Sequence, residues 1–311
     1  IDFKRKDNTV YARFPAEPDR LNPVLATSTY SRVVNEQLFL NLLHFNPSTL
    51  QLEPQLAKAA PQSQDITEGP NAGGVAYTFE ILDEAVWDNG APITGADVAF
   101  TLKAILNPKV NAAHFRAYLE FVSGIEVDSV NPKRFTVLTN KKYILGAPAI
   151  SNLTVLPAYN YDPQGLLDDY TVADLANPER AAELADTSDD LQAFAEAFNS
   201  TKYSREQPFI SGSGPYQFER WETGQKIILS KKEDWWGEPL SADYPLLGAS
   251  PDRLVISIIP DQTAALAAIK DEQVDVTSQI DAEDFANLRD NPMVTDRYAL
   301  HAPPALVYYF I

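Results

Sequence analysis

No cysteine occurs in the 311 residues, which removes disulfides, thiolate nucleophiles and cysteine-built metal sites. Histidine is nearly as scarce: the three are His44, His114 and His301, far apart and without the close spacing of a metal site. Positive charge is thin, with 25 Lys and Arg against 43 Asp and Glu and a formal net charge of −18. That balance argues against a nucleic-acid partner, whose phosphates call for a basic surface. No run approaches the roughly 20 consecutive apolar residues of a membrane-spanning helix, no signal peptide is present, and no repeat of fixed period is found.

Signals of catalysis are missing too. Ser211 and Ser213 sit in "SGSGP", which leads into a strand and lacks the strand-to-helix context of a hydrolase nucleophile. The same glycines open no helix and are followed by no P-loop lysine, so a phosphate cradle is not indicated. Carboxylates pair at Asp83-Glu84, Asp168-Asp169, Asp189-Asp190 and Asp281 with Asp284; in so acidic a chain these read as solvated faces. The expectation is a protein that is not an enzyme and carries no cofactor or metal.

What is present suits a globular protein: 45% hydrophobic and 11% aromatic residues, in a chain long enough for two units at about 150 residues per domain. "TVYARF" (9–14) alternates as a strand, and Val33, Val34, Leu38, Phe39 and Leu42 place a helix from about Tyr30 to Leu43. "VAYTFEIL" puts Tyr77, Phe79 and Ile81 on one strand face. In "VWDNGAPITGADVAFTL" (86–102), Asn89-Gly90 marks a tight turn, and Thr94 with Asp97 forms a capping box opening a helix from about Ala96 to Ile105. "SGIEVDSVNPKRFTVLTNKK" reads as two strands around Asn131-Pro132, completing an α+β block. The acidic, alanine-rich stretch 168–199 reads as a solvated helical excursion broken near Pro178 and Asp186. A hairpin turning at Glu222-Thr223-Gly224 follows, then a strand-helix-strand unit from Asp252 with Asp261 as helix cap and the next strand beginning at Val274 to Val276. Among the aromatics Tyr30, Phe115, Tyr118, Trp221, Trp235, Trp236, Tyr308 and Tyr309, most fill cores; Tyr30 and Phe115, in loops, are open to a ligand.

Four blocks in order resemble the family 5 extracellular solute-binding proteins, the peptide, oligopeptide and nickel receptors of ABC importers. "RLNPVLATSTYSRVVNEQLFLNLLHFNPSTLQLEPQLAKA" is similar to their opening segment, and "YTFEILDEAVWDNGAPITGADVAFTLKAILNP" to their Trp-x-Asp/Asn-Gly signature. "GSGPYQFERWETGQKIILSKKEDWWGEP" resembles their Gly-Thr-Gly-Pro-Tyr block, and "IIPDQTAALAAIKDEQVDV" their Asp-x-x-Ala and Val-Asp element. Three features depart: Ser211-Gly212-Ser213-Gly214 replaces the glycine-threonine-glycine, Glu272-Gln273 stands where a glycine is usual, and 168–199 looks inserted.

The resemblance implies an α/β fold of the periplasmic-binding-protein-like class, with a discontinuous lobe I, an inserted α+β subdomain and a second lobe largely absent. Residues 1–45 would begin lobe I, 46–145 form the insert, 146–285 continue lobe I, and 286–311 cross toward lobe II. The opening "IDFKRKDNTVYARF" and the apolar close "HAPPALVYYFI", expected to be a strand, read as the cut ends of a longer chain. The implied role is capture of a peptide or small molecule between two closing lobes and delivery to a membrane ABC permease. The implied protein is a monomer, periplasmic or extracellular and anchored through a removed N-terminal segment. Alternatives are a receptor for an oligosaccharide or nickel complex, or a peptide-binding sensor or chaperone. By alignment the ligand would meet Thr27, Ser28, Thr29 and Tyr30, whose backbone would pair with an extended peptide, and the region of His114, Phe115 and Tyr118.

Overall fold

In the computed structural model, which describes residues 7–46 and 48–302, strand β1 (Thr9–Phe14) forms where the alternation places it. Helix α1 (Thr29–Leu38) starts on Ser28, whose hydroxyl accepts the Tyr30 amide at 3.1 Å, the usual service of a serine at this position. It stops at Leu38, short of the expected Leu43. Phe39, Leu40, Asn41, Leu42 and Leu43 are all buried, and a surface helix can turn only one stripe inward. The chain extends instead and finds distant partners: Leu40 N–H donates to Ser213 Oγ, Asn41 N–H to Gln55 Oε1, and Leu42 N–H to the Leu153 carbonyl.

Strands β2 (Leu43–Phe45) and β3 (Leu52–Pro54) then pair antiparallel. Next come β4 (Gln62–Asp65), β5 (Val75–Glu80), α2 (Gly95–Leu106), α3 (Ala113–Leu119), β6 (Val122–Val127) and β7 (Arg134–Thr139). The four strands form an antiparallel sheet of order β4-β5-β7-β6. Val75, Tyr77 and Phe79 turn inward, as a period of two requires, and the Phe79 ring stacks on Phe135 at 5.4 Å. The capping box forms, with Thr94 N–H donating to Asp97 Oδ2 at 2.8 Å. Gly90 adopts φ +80°, the left-handed conformation that makes glycine the apt residue after Asn89.

Six helices follow: α4 (Gly146–Ser151), α5 (Ala158–Tyr161), α6 (Val172–Ala176), α7 (Pro178–Thr187), α8 (Asp189–Asn199) and α9 (Lys202–Arg205). The stretch 168–199 is not the solvated excursion its acidity suggests. Leu191, Phe194, Ala195 and Phe198 are buried and recur at helical spacing on one face of α8. Phe194 meets Phe100 of α2 edge-on at 6.0 Å, and Phe198 lies 5.5 Å from Tyr161. Acidic residues cover the outer face while the inner one completes a core.

The rest comprises the hairpin β8 (Tyr216–Glu222) and β9 (Lys226–Lys231), then β10 (Arg253–Ile258), α10 (Gln262–Lys270), β11 (Val276–Thr277), α11 (Ala282–Arg289) and α12 (Pro292–Thr295). Contacts divide the chain into two units. The first, described over 7–17, 221–228 and 251–302, has β1 parallel to β10 from Thr9↔Arg253 to Phe14↔Ile258 and parallel to β11 at Ala12↔Val276. The strand order is β11-β1-β10-β9-β8, with the tip of the hairpin belonging to this unit. Parallel strands need a crossover, and α10 supplies it, capped by Asp261, which accepts the Ala264 amide at 2.7 Å. The second unit, 18–220 and 229–250, holds the antiparallel sheet and its helices, and 46–145 lies wholly within it. The strand expected at 303–311, with Tyr308 and Tyr309, lies outside the described residues.

Candidate functional site

Both regions suggested by sequence fall in the second unit. In the first, Thr27 and Ser28 end a loop while Thr29 and Tyr30 open α1, so Tyr30 is helical and not in the loop expected for it; Thr27 and Thr29 are exposed and Ser28 and Tyr30 half-buried, so the stretch lies at the surface. Two anchors shape it. Asn22 accepts the Val24 and Leu25 amides at 3.0 and 3.3 Å, making the Leu-Asn-Pro element a self-tied turn. Asp19 accepts the Thr27 amide (3.2 Å), the Thr27 hydroxyl (3.1 Å), the Ser28 amide (3.2 Å) and the Ser31 hydroxyl. Burial alone would raise the Asp19 carboxyl, but the bonds from Ser31, Thr27 and Ser28 together hold it below its ordinary value. A ligand strand approaching this loop would find the Thr27 and Ser28 amides already engaged.

The second region is α3, so Phe115 lies on a helix and not in the loop expected for it. Phe115 and Tyr118, three apart, share a face and line a groove of about 350 Å³ with Phe45, Tyr143, Leu145 and Asn152. Leu119 is buried beneath them, whereas Tyr118 is 65% exposed and Leu145 51% exposed. Tyr143 is steadied by the buried Phe121 ring, 5.2 Å away. Asn152 Oδ1 accepts from Asn41 Nδ2 at 3.0 Å, and Asn41 Oδ1 accepts the Thr154 hydroxyl at 2.6 Å, so the groove's amide is fixed from behind. His114 does not line the groove. It is exposed, with its ring 4.8 Å from that of Phe115. Partial burial, then the charges of Arg116 and Arg20, push its imidazole below the ordinary range, with Asp19 opposing.

Sequence reasoning missed Asp19, Phe45, Tyr143, Leu145 and Asn152. The one local signal was Tyr143-Ile144-Leu145, an apolar run after two lysines that stays exposed, Ile144 at 92%.

The motifs that stand out in the sequence do different work. Asp88 of the tryptophan turn takes Lys232 Nζ at 2.6 Å and the Ser211 hydroxyl at 2.8 Å, while Lys232 also donates to the Gly212 carbonyl at 2.7 Å. Trp87 Nε1 donates to Asp97 at 3.1 Å, and Trp235 Nε1 to the Ser213 carbonyl at 3.0 Å. Lys133 Nζ gathers the Leu82, Ala85 and Ile93 carbonyls. A Cβ on Gly212 would stand 2.3 Å from the Leu38 carbonyl oxygen, and one on Gly214 2.6 Å from that of Gln37, so side chains cannot fit there. Burial lowers the Lys232 ammonium despite Asp88, and burial raises the Asp97 carboxyl despite its bonds from Thr94 and Trp87. These motifs lock three chain segments together. Among the described residues no three acidic or histidine side chains gather as a metal site, and no helix is long and apolar enough to cross a membrane.

A family model described as bacterial extracellular solute-binding proteins, family 5 Middle, matches residues 51–311. The chain is 24% identical over 289 residues to the oligopeptide-binding protein AppA of Bacillus subtilis (strain 168), covering 90% of this chain and 42% of that protein. Solved structures share its fold, two of them as follows. The oligopeptide-binding protein from Thermus thermophilus complexed with pentapeptide has a TM-score of 0.67 at 19% identity, over 94% of this chain and 48% of that one. NikZ from Campylobacter jejuni in complex with Ni(L-His) has a TM-score of 0.64 at 21% identity, over 93% and 46%. The chain therefore spans less than half the length of these relatives.

Proposed function

We propose that this chain, which belongs to the bacterial extracellular solute-binding proteins of family 5, supplies one side of a peptide-binding cleft in the receptor component of an ABC importer. The observation that carries this reading is the family match over 51–311, and the similarity to a named oligopeptide-binding protein turns the choice of ligand toward peptides. The ligand-facing residues in this proposal are Thr27 to Tyr30 at the start of α1, Phe115 and Tyr118 in the groove, and His114 beside it. The first unit's parallel sheet would belong to lobe I, 46–145 would be the inserted subdomain, and the second wall of the cleft would come from a second lobe. Ligand entry would close the lobes by a hinge motion, and the closed form would dock on a membrane permease. No bond is made or broken; the receptor works by binding alone, as a monomer, in the periplasm or outside the cell.

The test is thermal unfolding of the full-length receptor with and without a mixed peptide pool. A ligand at 100 times its Kd stabilises the native state by about 2.7 kcal/mol, and a clear rise in Tm is expected. No rise with peptides, together with a rise on adding nickel–histidine or an oligosaccharide, would move the assignment to that ligand.

A further inference from the structure

The groove of α3 is chemically one-sided. Its walls are the rings of Phe45, Phe115, Tyr118 and Tyr143 and the alkyl surface of Leu145, with Asn152 as its amide. The acceptor oxygen of that amide is already met by Asn41. The cations beside these residues in sequence are committed elsewhere. Arg116 donates to the carbonyls of Ile105, Asn107 and Val110 at 3.1, 3.0 and 2.8 Å. Lys141 is paired with Glu120 and Lys142 with Asp65, each at 2.7 Å. His114 lies outside the groove. An anionic group entering here would shed its water without meeting a positive charge in the lining, and a cationic group would meet no carboxylate there. At about 350 Å³ the groove is at the small end of ligand pockets, which run from about 300 to 1,000 Å³, a size for one or two side chains rather than a whole oligopeptide.

We infer that this groove sets ligand specificity by taking an uncharged aromatic or branched aliphatic side chain of the bound peptide, with Tyr118 and Phe115 as its selecting walls. The inference rests on the peptide-receptor reading above. A planar ring or branched side chain fits between aromatic faces in offset or edge-on contact, while the ligand backbone remains outside the apolar lining. The polar and charged portions of the ligand fall to the loop around Thr29 and to the opposing lobe. Tyr118 is 65% exposed in this chain, so its truncation removes no part of this chain's core, and the Tm of each variant checks that the fold is kept.

The experiment is calorimetric titration of the full-length receptor with penta-alanine peptides carrying one guest, Phe, Leu, Asp or Lys, at each position in turn. At one position Phe and Leu should bind about 10- to 100-fold tighter than Asp and Lys, the range an apolar pocket can discriminate. Tyr118→Ala should flatten that preference and Tyr118→Phe should keep it. Equal affinity for all guests, or tightest binding of Asp or Lys, overturns the inference while leaving the peptide receptor intact. An equal loss for every guest in Tyr118→Ala also overturns it, since Tyr118 would then contribute to binding without selecting the side chain. If no peptide binds at all, the peptide reading falls and the inference with it.

Discussion

At the tryptophan turn the distinctive side chains are tied by hydrogen bonds, with Trp87 buried, whereas around Tyr118 large apolar side chains stand exposed. Trp87, Asp88 and Asn89 each hold a hydrogen bond to another segment or within the turn, and the lysine that answers Asp88 has a side chain only 11% exposed. Tyr118, Leu145 and Phe45 present large apolar surfaces to solvent, from 46 to 65% exposed. Both regions belong to the same unit, and they differ in how far their side chains are already engaged. A conspicuous sequence signature here marks where the chain is fastened, and the residues of the proposed groove are announced by no short motif. Exposed aromatics that form a concave surface are the kind of apolar patch associated with binding.

The contrast can be broken by removing one fastening. Asp88→Ala strands the Lys232 ammonium at a site it shares with the Gly212 carbonyl. Loss of one partner of a buried pair costs several kcal/mol, and with Asp88 itself 41% exposed the low end applies, about 3 kcal/mol. Urea unfolding measures it. The double variant Asp88→Ala with Lys232→Met should recover most of the loss, because the unpaired charge is then gone. A loss under about 1 kcal/mol would mean that the turn is not fastened in this way.

Asp19 gives a smaller effect that sharpens the comparison, because it is a fastening inside the candidate site. Asp19→Ala frees the Thr27 and Ser28 amides and the Ser31 hydroxyl, at an expected cost of about 2 kcal/mol for a charged acceptor. The pH dependence has a definite sign. The folded-state pKa is lowered, so the stabilisation is present above the unfolded value of about 3.9 and is lost as pH falls through the folded one. Acid unfolding curves of the parent should therefore show a loss that is missing from Asp19→Ala. A parent and variant with the same acid slope would remove Asp19 from this role.

Local features were legible from the sequence because their causes are local. The capping box of Thr94 and Asp97, the Asn89-Gly90 turn, the cap at Asp261 and the alternation of β5 all depend on neighbours within a few residues. Legibility failed where packing at long range decided the outcome. Residues 39–43 have the periodicity of a continuing helix, yet burial on every side and bonds to Ser213, Gln55 and Leu153 draw them straight. The acidity of 168–199 hid the stripe of Leu191, Phe194, Ala195 and Phe198, which becomes visible only when α2 and Tyr161 are placed against it. The groove joins residues from 45 to 153 through separate segments, so alignment suggested Phe115 and Tyr118 but nothing local could add Phe45 or Asn152. Asp19 escaped because its partners stand eight to twelve residues onward, beyond a buried turn.

Amide hydrogen exchange of the full-length protein with and without a saturating peptide pool tests the central claim most directly. Slowed exchange is expected at 27–30, 113–119 and 143–149, with no change at 86–90 and 211–215, where the fastening is already complete in the free protein. Ligand-dependent protection confined to 86–90 and 211–215, with none on the loop or α3, would contradict the account by making the signature itself the binding site.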